Sequence, residues 1–314
     1  MAKHTLLLLS QDNAQYKALL QNAYLPGLTI LAPEQEADIQ AALPRADILL
    51  GEPARLRARL KTATALKWAQ STYAGVDLLL DPECRKDYQL TNIRGIFGSL
   101  ISEYVFGHLL ALTRHIRHYK EQQRLHNWQP LPYQSLNGKT MLIMGTGSIG
   151  QHVAQTAKHF GMTVLGINRT GREAPGFDNT YQLPALNNIL SRADVVVSVL
   201  PSTPHTRGLF NNERIKHFKP SAIFFNVGRG DVIDEGALIE ALRHGHMGAA
   251  VLDVFATEPL PAASPLWDMP NVVITPHNSG YSFPEQIVTR FSRNYLRYIE
   301  GKTMEGVVDF HLGY

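Results

Sequence analysis

The segment Thr140–Phe160, TMLIMGTGSIGQHVAQTAKHF, decides the fold of this chain. Its apolar run TMLIM leads directly into the pattern G-x-G-x-x-G, and an amphipathic pattern follows with apolar residues three or four positions apart. A strand, a glycine-rich turn and a helix in this order are typical of the unit that binds the pyrophosphate of a dinucleotide. This context makes the glycine pattern more specific than the glycines alone.

Each residue of the glycine pattern has a physical role in such a unit. Gly145 permits the tight turn, Gly147 lets a pyrophosphate approach the backbone, and Gly150 lets the helix pack closely on the strand. Ser148 and Ile149 open the helix, whose first N–H groups have no partner within the helix and therefore attract an anion. We predict that these five residues bind a dinucleotide cofactor.

The rest of the chain alternates short apolar runs with amphipathic segments, in two series. Its 314 residues, 44% of them apolar, are enough for two hydrophobic cores. The first series of predicted strands begins at Thr5, Leu28, Ala46, Leu66 and Tyr88. The second begins at Thr140, Met162, Ala193, Ser221, Met247 and Asn271. Because this alternation is the pattern of parallel sheets with helical crossovers, we predict an α/β fold with two Rossmann-like domains, the second one larger.

A long amphipathic pattern separates the two series. Its apolar spacing predicts one helix from about Ser99 to Arg124, followed by the turn-rich segment HNWQPLPYQSLNGK. A last amphipathic segment, residues 283–301, lies beyond the final strand. We expect a helix there that crosses back to the first domain.

The composition argues against several other classes of protein. The 30 Lys and Arg residues and 27 Asp and Glu residues give a net charge of +3, without a long basic run, so we expect no nucleic-acid partner. No apolar run approaches the ~18 residues of a membrane span, so we expect no membrane partner either. The single cysteine, Cys84, offers neither a disulfide framework nor a zinc cluster, so we predict no metal site and a cytoplasmic location.

The strand after the glycine turn ends at the position whose side chain binds the adenosine ribose in dinucleotide-binding enzymes. NAD enzymes have an Asp or Glu there, about 20 residues after the turn, whereas this chain has Asn168, 18 residues after Gly150. A carboxylate would repel a 2′-phosphate, while an amide followed by Arg169, Thr170 and Arg172 would bind it. We therefore predict that NADPH (NADP) is favoured and that NAD is possible. The open alternative is that Asn168 forms a turn and Arg169 is merely solvated.

Three charged or titratable residues each follow a predicted strand of the second series: Arg229, Glu258 and His277. Reduction of a 2-keto acid needs a cation for the carboxylate and carbonyl, a proton donor near neutral pH, and a carboxylate that raises the pKa of the donor. Taken singly, each residue has an alternative: Arg229 pairs with Asp231, Glu258 lies in an exposed turn before Pro259, and His277 is a surface or capping residue. The ordered set of three favours a catalytic role.

Five segments in order resemble the D-isomer-specific 2-hydroxyacid dehydrogenases over nearly the whole chain: GTGSIG, LPSTPHTRGLFN, NVGRGDVID, LDVFATEPL and PLWDMPNVVITPHNSG. Two others, WAQSTYAGVD and TNIRGIFGSLISEYVFGHLLAL, resemble the bacterial glyoxylate/hydroxypyruvate reductases. The resemblance implies a flavodoxin-like substrate domain (residues 1–97 plus 285–314), a larger NAD(P)-binding Rossmann domain (98–284) and a catalytic cleft between them.

The resemblance also implies residue roles. Arg229, Glu258 and His277 fall on the catalytic positions of the family. The substrate carboxylate would be held by Arg229 and by the YAG loop, which consists of Tyr73, Ala74 and Gly75. Further cofactor positions of the family fall on Thr206, Val227 and Asp253.

The same resemblance implies a homodimer that forms through the dinucleotide-binding domain, with Trp128 in the place of a tryptophan that reaches the neighbouring pocket. A structural tryptophan is the open alternative. The function implied is reduction of a small 2-keto acid, of the glyoxylate or hydroxypyruvate type, to the D-2-hydroxy acid. Two other functions remain open on this fold, a dinucleotide-sensing interaction module of the corepressor type and a different reaction class such as methyl transfer.

Overall fold

The computed structural model describes residues 3–311 of the chain. Two compact units are present: one contains the chain up to Ile96 and from Ser282 onward, and the other is Phe97–Tyr281. Residues 1, 2 and 312–314, which the predicted substrate domain includes, lie outside the described residues. Within residues 3–311, none of the helices combines the length and the apolar composition needed to cross a membrane.

A strand is observed in every apolar run that the sequence predicted to form one. The strands of the first unit are β1 (His4–Leu9), β2 (Leu28–Leu31), β3 (Ile48–Gly51), β4 (Trp68–Ser71) and β5 (Gln89–Thr91). Those of the second unit are β6 (Thr140–Met144), β7 (Thr163–Ile167), β8 (Asn179–Tyr181), β9 (Val195–Ser198), β10 (Ile223–Asn226), β11 (Ala249–Leu252) and β12 (Val272–Ile274).

The helices surround these strands. They are α1 (Asn13–Gln21), α2 (Glu36–Ala42), α3 (Pro53–Arg57), α4 (Asp77–Leu80), α5 (Gly98–Thr113), α6 (Ile116–Arg124), α7 (Ser148–His159), α8 (Leu186–Leu190), α9 (Asn212–Ile215), α10 (Glu235–Arg243) and α11 (Pro284–Ile299).

The sheet of the first unit is parallel, with the strand order β2-β1-β3-β4-β5. This is the flavodoxin-like order, which confirms the predicted fold class. Helix α11 completes this unit, because Phe291 stacks on Trp68 with ring centroids 5.0 Å apart and the hydroxyl of Tyr295 donates to the carbonyl of Pro26 at 2.8 Å. Trp68 and Tyr295 are fully buried, so α11 is part of this core.

The sheet of the second unit is also parallel, with the order β12-β11-β10-β9-β6-β7-β8. Counted from β6, the order is that of the dinucleotide-binding Rossmann fold with one added strand. The sequence did not predict β8, because its three residues, NTY, lie at the sheet edge and are only partly buried. The central strands β9 and β11 are buried along their whole length, as expected of a parallel sheet covered on both faces.

The prediction of one helix from Ser99 to Arg124 was wrong, since the chain forms α5 and α6 with a break between them. His115 adopts a left-handed conformation with φ of +55°, which no continuous helix contains. The ring Nε2 of His115 lies 3.0 Å from the carbonyl oxygen of Pro132, so the turn is held by the segment that follows α6. Apolar spacing continued across the break and did not reveal it.

Candidate active site

Loops at the carboxyl ends of three adjacent strands of the second unit carry the predicted catalytic residues. Arg229 follows β10, Glu258 follows β11 and His277 follows β12. These strands are neighbours in the sheet and run parallel, so the loops leave the same edge. The structure therefore brings together residues that lie far apart in sequence.

His277 and Glu258 form a direct hydrogen-bonded pair. The Nδ1 atom of His277 lies 2.8 Å from Oε2 of Glu258, and Oε1 of Glu258 accepts a hydrogen bond from the backbone N–H of Phe255 at 2.9 Å. The side chains remain accessible, His277 at 51% and Glu258 at 36%. Because Nδ1 is held by the carboxylate, Nε2 is the ring atom left to face a ligand.

The pair shifts the pKa of both partners toward the charged forms. The hydrogen bond to Glu258 raises the pKa of His277 above its ordinary value; burial and the charge of Arg229 oppose this rise, while the charge of Glu258 adds to it. Burial favours the neutral form of Glu258, but the hydrogen bonds from His277 and Phe255 outweigh it and lower the pKa of that carboxyl. His277 therefore holds its proton more readily near neutral pH than an isolated histidine.

Arg229 lies close enough to this pair for its charge to lower the pKa of both partners. Its loop approaches the end of β11 very closely, since a Cβ added at Gly230 would lie 1.9 Å from the carbonyl carbon of Phe255. The side chain of Asn226 is fully buried and donates to the carbonyl of Arg229 at 2.9 Å. Asn226 was not predicted as a site residue, although a polar residue ending the apolar run AIFFN was the available signal.

Asp231 contacts the segment that follows β9. One of its carboxylate oxygens accepts hydrogen bonds from Ser202 at 2.5 Å and is paired with Arg207 at 3.2 Å. Ser202 and Arg207 lie in the LPSTPHTR segment after β9. Asp231 thus ties that segment to the loop that carries Arg229.

The loop that carries His277 is held by Asp253 at the end of β11. Asp253 is fully buried, and its carboxylate accepts hydrogen bonds from the Oγ1 of Thr275 at 2.5 Å and from the backbone N–H groups of Asn278 and Ser279 at 2.9 and 3.0 Å. The backbone N–H of His277 donates to the carbonyl of Asp253 at 2.9 Å. Within the described structure, the Asp253 carboxylate therefore orders the loop that carries His277.

The glycine turn after β6 has the shape that a bound pyrophosphate requires. A Cβ at Gly150 would lie 2.0 Å from the carbonyl oxygen of Gly145, so only glycine allows α7 to start so close to the strand. Among the described residues, nothing lies within 4 Å of a Cβ built at Gly147, where the ligand would approach. Gly147 is the N-cap of α7 without a capping side chain, which leaves the first N–H groups of Ser148 and Ile149 for an anion.

The loop after β7 is organised by Asn168. Its Nδ2 group donates to Oγ1 of Thr146 at 3.1 Å and to the carbonyl of Arg172 at 2.8 Å, while its Oδ1 accepts from the N–H of Thr170 at 3.1 Å. The side chain of Asn168 thus holds the turn after β7. Arg169, Thr170 and Arg172 are exposed around this turn and are the residues available to a phosphate.

The two other predicted cofactor residues of this unit are also in loops that follow strands. Thr206 shapes the loop after β9, since its hydroxyl donates to the carbonyl of Pro201 at 2.6 Å and accepts from the N–H of Thr203 at 2.8 Å. Val227 directly follows β10 and is half-buried, and its N–H donates to the carbonyl of Ser198 at 3.1 Å.

In the first unit, the YAG loop follows β4 with its carbonyl groups turned inward. The carbonyls of Thr72, Tyr73 and Ala74 accept hydrogen bonds from Ser282, Ile93 and Asn92, respectively. Among the described residues, the N–H groups of Ala74 and Gly75 have no hydrogen-bond partner. This arrangement presents two backbone donors, which suits an anion.

Five aromatic side chains of the two units differ in exposure. Phe97 is buried at 7% and lies against Gly280, so it belongs to the core of the second unit. The accessible ones are Tyr73 (49%), Trp128 (97%), Trp267 (51%) and Tyr281 (55%).

Comparison with known proteins agrees with this geometry. Residues 106–279 match the NAD-binding domain of the D-isomer-specific 2-hydroxyacid dehydrogenases. The chain is 33% identical over 267 residues to glyoxylate/hydroxypyruvate reductase A from Serratia proteamaculans (strain 568), covering 82% of this chain and 83% of that protein.

Solved structures of the family superpose on nearly the whole chain. A family protein from Aeromonas salmonicida subsp. salmonicida A449 is 60% identical with a TM-score of 0.95, covering 98% of this chain and 100% of that chain. The NADPH-dependent glyoxylate/hydroxypyruvate reductase from Sinorhizobium meliloti, solved with NADP and sulfate, is 30% identical with a TM-score of 0.88, covering 99% of this chain and 100% of that one. The resemblance found in the motifs is confirmed: this chain belongs to the D-isomer-specific 2-hydroxyacid dehydrogenase family.

Proposed function

We propose that the protein reduces a small 2-keto acid of the glyoxylate or hydroxypyruvate type to the D-2-hydroxy acid, with NADPH as the favoured reductant. The observation that carries this proposal is the 2.8 Å pair of His277 and Glu258 beside the positive charge of Arg229. This set provides a proton donor, a group that holds it charged and a cation for the substrate. The reductase relatives from Serratia proteamaculans and Sinorhizobium meliloti support the substrate class.

Each group of the site has a distinct task in this reaction. A bound nicotinamide cofactor supplies the hydride. His277 donates a proton from Nε2 to the carbonyl oxygen of the substrate, while Glu258 holds Nδ1 and stabilises the protonated ring. Arg229 binds the substrate carboxylate and polarises the carbonyl. The N–H groups of Ala74 and Gly75, with Tyr73 beside them, bind the same carboxylate.

The cofactor is assigned to the carboxyl edge of the second sheet. The glycine turn binds the pyrophosphate through Gly145, Gly147, Ser148, Ile149 and Gly150. Thr206, Val227 and Asp253 would lie near the rest of the cofactor, as the resemblance to the family implies.

Arg169, Thr170 and Arg172 bind the 2′-phosphate of NADPH, and Asn168 organises their turn. Both N–H bonds of the Asn168 amide have acceptors within the chain, which supports this role in holding the turn. The reductase from Sinorhizobium meliloti was solved with NADP, which supports the same cofactor here. NADH remains a weaker reductant in this proposal.

The two units take separate tasks in the proposal. Residues 1–97 and 285–314 form the substrate domain, and residues 98–284 form the dinucleotide-binding domain. The single Cys84 favours a reducing compartment, the cytoplasm. No observation favours the corepressor-type interaction module over the enzyme.

We further propose a homodimer that forms through the dinucleotide-binding domain. Several large apolar side chains on α6 and in the segment after it are exposed, and exposed apolar surface is a common feature of interaction surfaces. They are Ile116 (50%), Leu125 (65%), Trp128 (97%) and Tyr133 (58%). Light scattering should give twice the monomer mass, and the double variant Leu125→Asp/Trp128→Ala should shift it toward the monomer. A wild-type monomer at micromolar concentration would contradict the dimer.

The proposed reaction is tested with a panel of glyoxylate, hydroxypyruvate, pyruvate and phenylpyruvate, each with NADPH and with NADH. We expect the highest kcat/KM for glyoxylate or hydroxypyruvate with NADPH, and D-glycerate as the product from hydroxypyruvate. Formation of L-glycerate, or no turnover of any 2-keto acid, would refute the proposal.

A further inference from the structure

We propose that Tyr104 and Thr275 are positioning residues for His277. Two hydrogen bonds link the hydroxyl of Tyr104 to Oγ1 of Thr275 and Oγ1 of Thr275 to the carboxylate of Asp253. Together they fix the loop that carries His277. The inference rests on the proposed function, since it takes His277 as the proton donor. It assigns a task to helix α5, which no catalytic motif includes.

The chemistry of the three groups determines which atom donates in each of these hydrogen bonds. A deprotonated carboxylate only accepts, so Thr275, 2.5 Å from Oδ1 of Asp253, must donate its single hydroxyl proton. Oγ1 of Thr275 then offers only lone pairs to Tyr104, whose hydroxyl lies 2.7 Å away and must donate. Burial raises the pKa of Tyr104 far above its ordinary value, so its hydroxyl keeps the proton throughout the working pH range.

The carboxylate of Asp253 depends on these donors. This carboxylate is fully buried, and it accepts hydrogen bonds from three donors among the described residues: Oγ1 of Thr275 and the N–H groups of Asn278 and Ser279. A buried carboxylate that loses a donor is strongly disfavoured. Thr275 is the only one of the three that is a side chain, and it is therefore the donor that substitution can remove.

The same residues hold His277 in an unusual backbone conformation. Its φ is +52°, a left-handed value that costs free energy for a residue with a Cβ. Asp253 holds this turn twice, because its backbone carbonyl accepts from the N–H of His277 and its carboxylate accepts from the next two N–H groups. Such a conformation persists only where the surroundings enforce it. A weaker anchor at Asp253 should let the ring move away from Glu258.

Among the described residues, a small set of charged and titratable groups influences His277 and Tyr104. His277 is influenced by Glu258, Arg229 and Asp253. Tyr104 is influenced by Asp253 and contacts the ring of His108 at a centroid distance of 4.5 Å. Burial lowers the pKa of His108, so this ring is neutral at neutral pH and adds no charge beside Tyr104.

The test combines kinetics with the pKa of His277 measured by NMR in four proteins: wild type, Tyr104→Phe, Thr275→Val and Thr275→Ser. We expect Tyr104→Phe to lower kcat about fivefold and to lower the pKa of His277, with the Kd for NADPH unchanged. Thr275→Val should lower kcat more, by up to about 100-fold, because Asp253 loses a donor. Thr275→Ser should stay within about twofold of wild type.

Two results separate positioning from a general structural role. In the Thr275→Val background, Tyr104→Phe should lower kcat by a further factor of less than about two, because Tyr104 acts through Thr275. Tyr88→Phe is the matched control, since the buried Tyr88 hydroxyl has no hydrogen-bond partner among the described residues, and it should leave kcat and the pKa of His277 unchanged.

A wild-type kcat and His277 pKa in Tyr104→Phe would overturn the inference, and so would a full fivefold loss added to Thr275→Val. If Thr275→Val does not fold, Tyr104→Phe and Thr275→Ser still decide the question. A wild-type protein that reduces no keto acid would refute the proposed function, whereas the NMR comparison of Tyr104→Phe would still test the positioning of His277.

Discussion

Nδ1 of His277 lies 2.8 Å from Oε2 of Glu258, although the two residues follow different strands, β12 and β11. The contact joins two side chains of the protein itself, so the ring orientation is set by residues of the chain. Glu258 is held in turn by the backbone N–H of Phe255. Pre-organisation of this kind lowers the cost of ordering the proton donor during the reaction.

The pair predicts how the reduction depends on pH. His277 must be protonated to act as an acid, so kcat/KM for keto-acid reduction should be constant below the raised pKa of His277 and fall as the pH rises through it. Glu258→Gln removes the main cause of the raised pKa, so this alkaline limb should move to lower pH. The rate at pH 8 should fall about tenfold or more. An alkaline limb at the same pH in Glu258→Gln would contradict the pairing.

Arg229 should contribute to substrate binding and to the rate. Arg229→Gln removes the cation that holds the carboxylate, so kcat/KM for glyoxylate should fall by about 10²–10⁴, with a higher KM and a lower kcat. The Kd for NADPH, measured by fluorescence, should change less than about twofold. Arg243→Gln is the control, because Arg243 pairs with Glu240 on the exposed face of α10. Equal losses in the two variants would remove Arg229 from the mechanism.

Cofactor preference should depend on the loop after β7. Asn168→Asp places a negative charge in the turn of Arg169 and Thr170, so the ratio of kcat/KM for NADPH to that for NADH should fall about tenfold to 100-fold. Asn188→Asp adds the same charge on the exposed surface of α8 and should leave the ratio unchanged. A wild-type preference for NADH would contradict the assignment of a 2′-phosphate site.

Replacement of glycine by alanine should change the free energy of unfolding in opposite directions at two helical positions, Gly150 and Gly107. Gly150→Ala would place a Cβ 2.0 Å from the carbonyl oxygen of Gly145, so the free energy of unfolding should fall by about 1–3 kcal/mol. Gly107→Ala, in an exposed turn of α5, meets nothing within 4 Å among the described residues and should raise it by about 0.5–1 kcal/mol. Urea midpoints of the two variants measure the difference. A Gly150→Ala protein as stable as wild type would show that α7 does not need the close approach.

Much of the fold could be predicted from the sequence because buried parallel strands are short apolar runs with turn residues at both ends. The runs LLLL in β1 and VVVS in β9 are examples, and every predicted strand is present. The edge strand β8 was missed because it has no apolar run. The break at His115 was missed because a left-handed residue leaves the apolar spacing of the flanking helices intact.

The sequence indicated that Glu258 and His277 belong to one set, because each follows a predicted strand of the second series and parallel strands end at one sheet edge. The residues that hold these groups were not predicted. Asn226 and Thr275 act through hydrogen bonds whose partners depend on tertiary structure, and one polar residue at the end of a strand does not indicate its partner. Tyr104 lies within the predicted helix, and helical spacing does not reveal that its hydroxyl has a specific partner, Thr275.

The most direct test of the account is NADPH-dependent reduction of glyoxylate and hydroxypyruvate by wild type, His277→Ala and His244→Ala. His244 also lies beside a carboxylate, 3.2 Å from Glu240, but on the exposed end of α10. We predict that His277→Ala lowers kcat by about 10²–10⁴ while the Kd for NADPH remains within about twofold, and that His244→Ala behaves as wild type. Normal turnover by His277→Ala, or equal losses in both variants, would contradict the assignment of His277 as the proton donor.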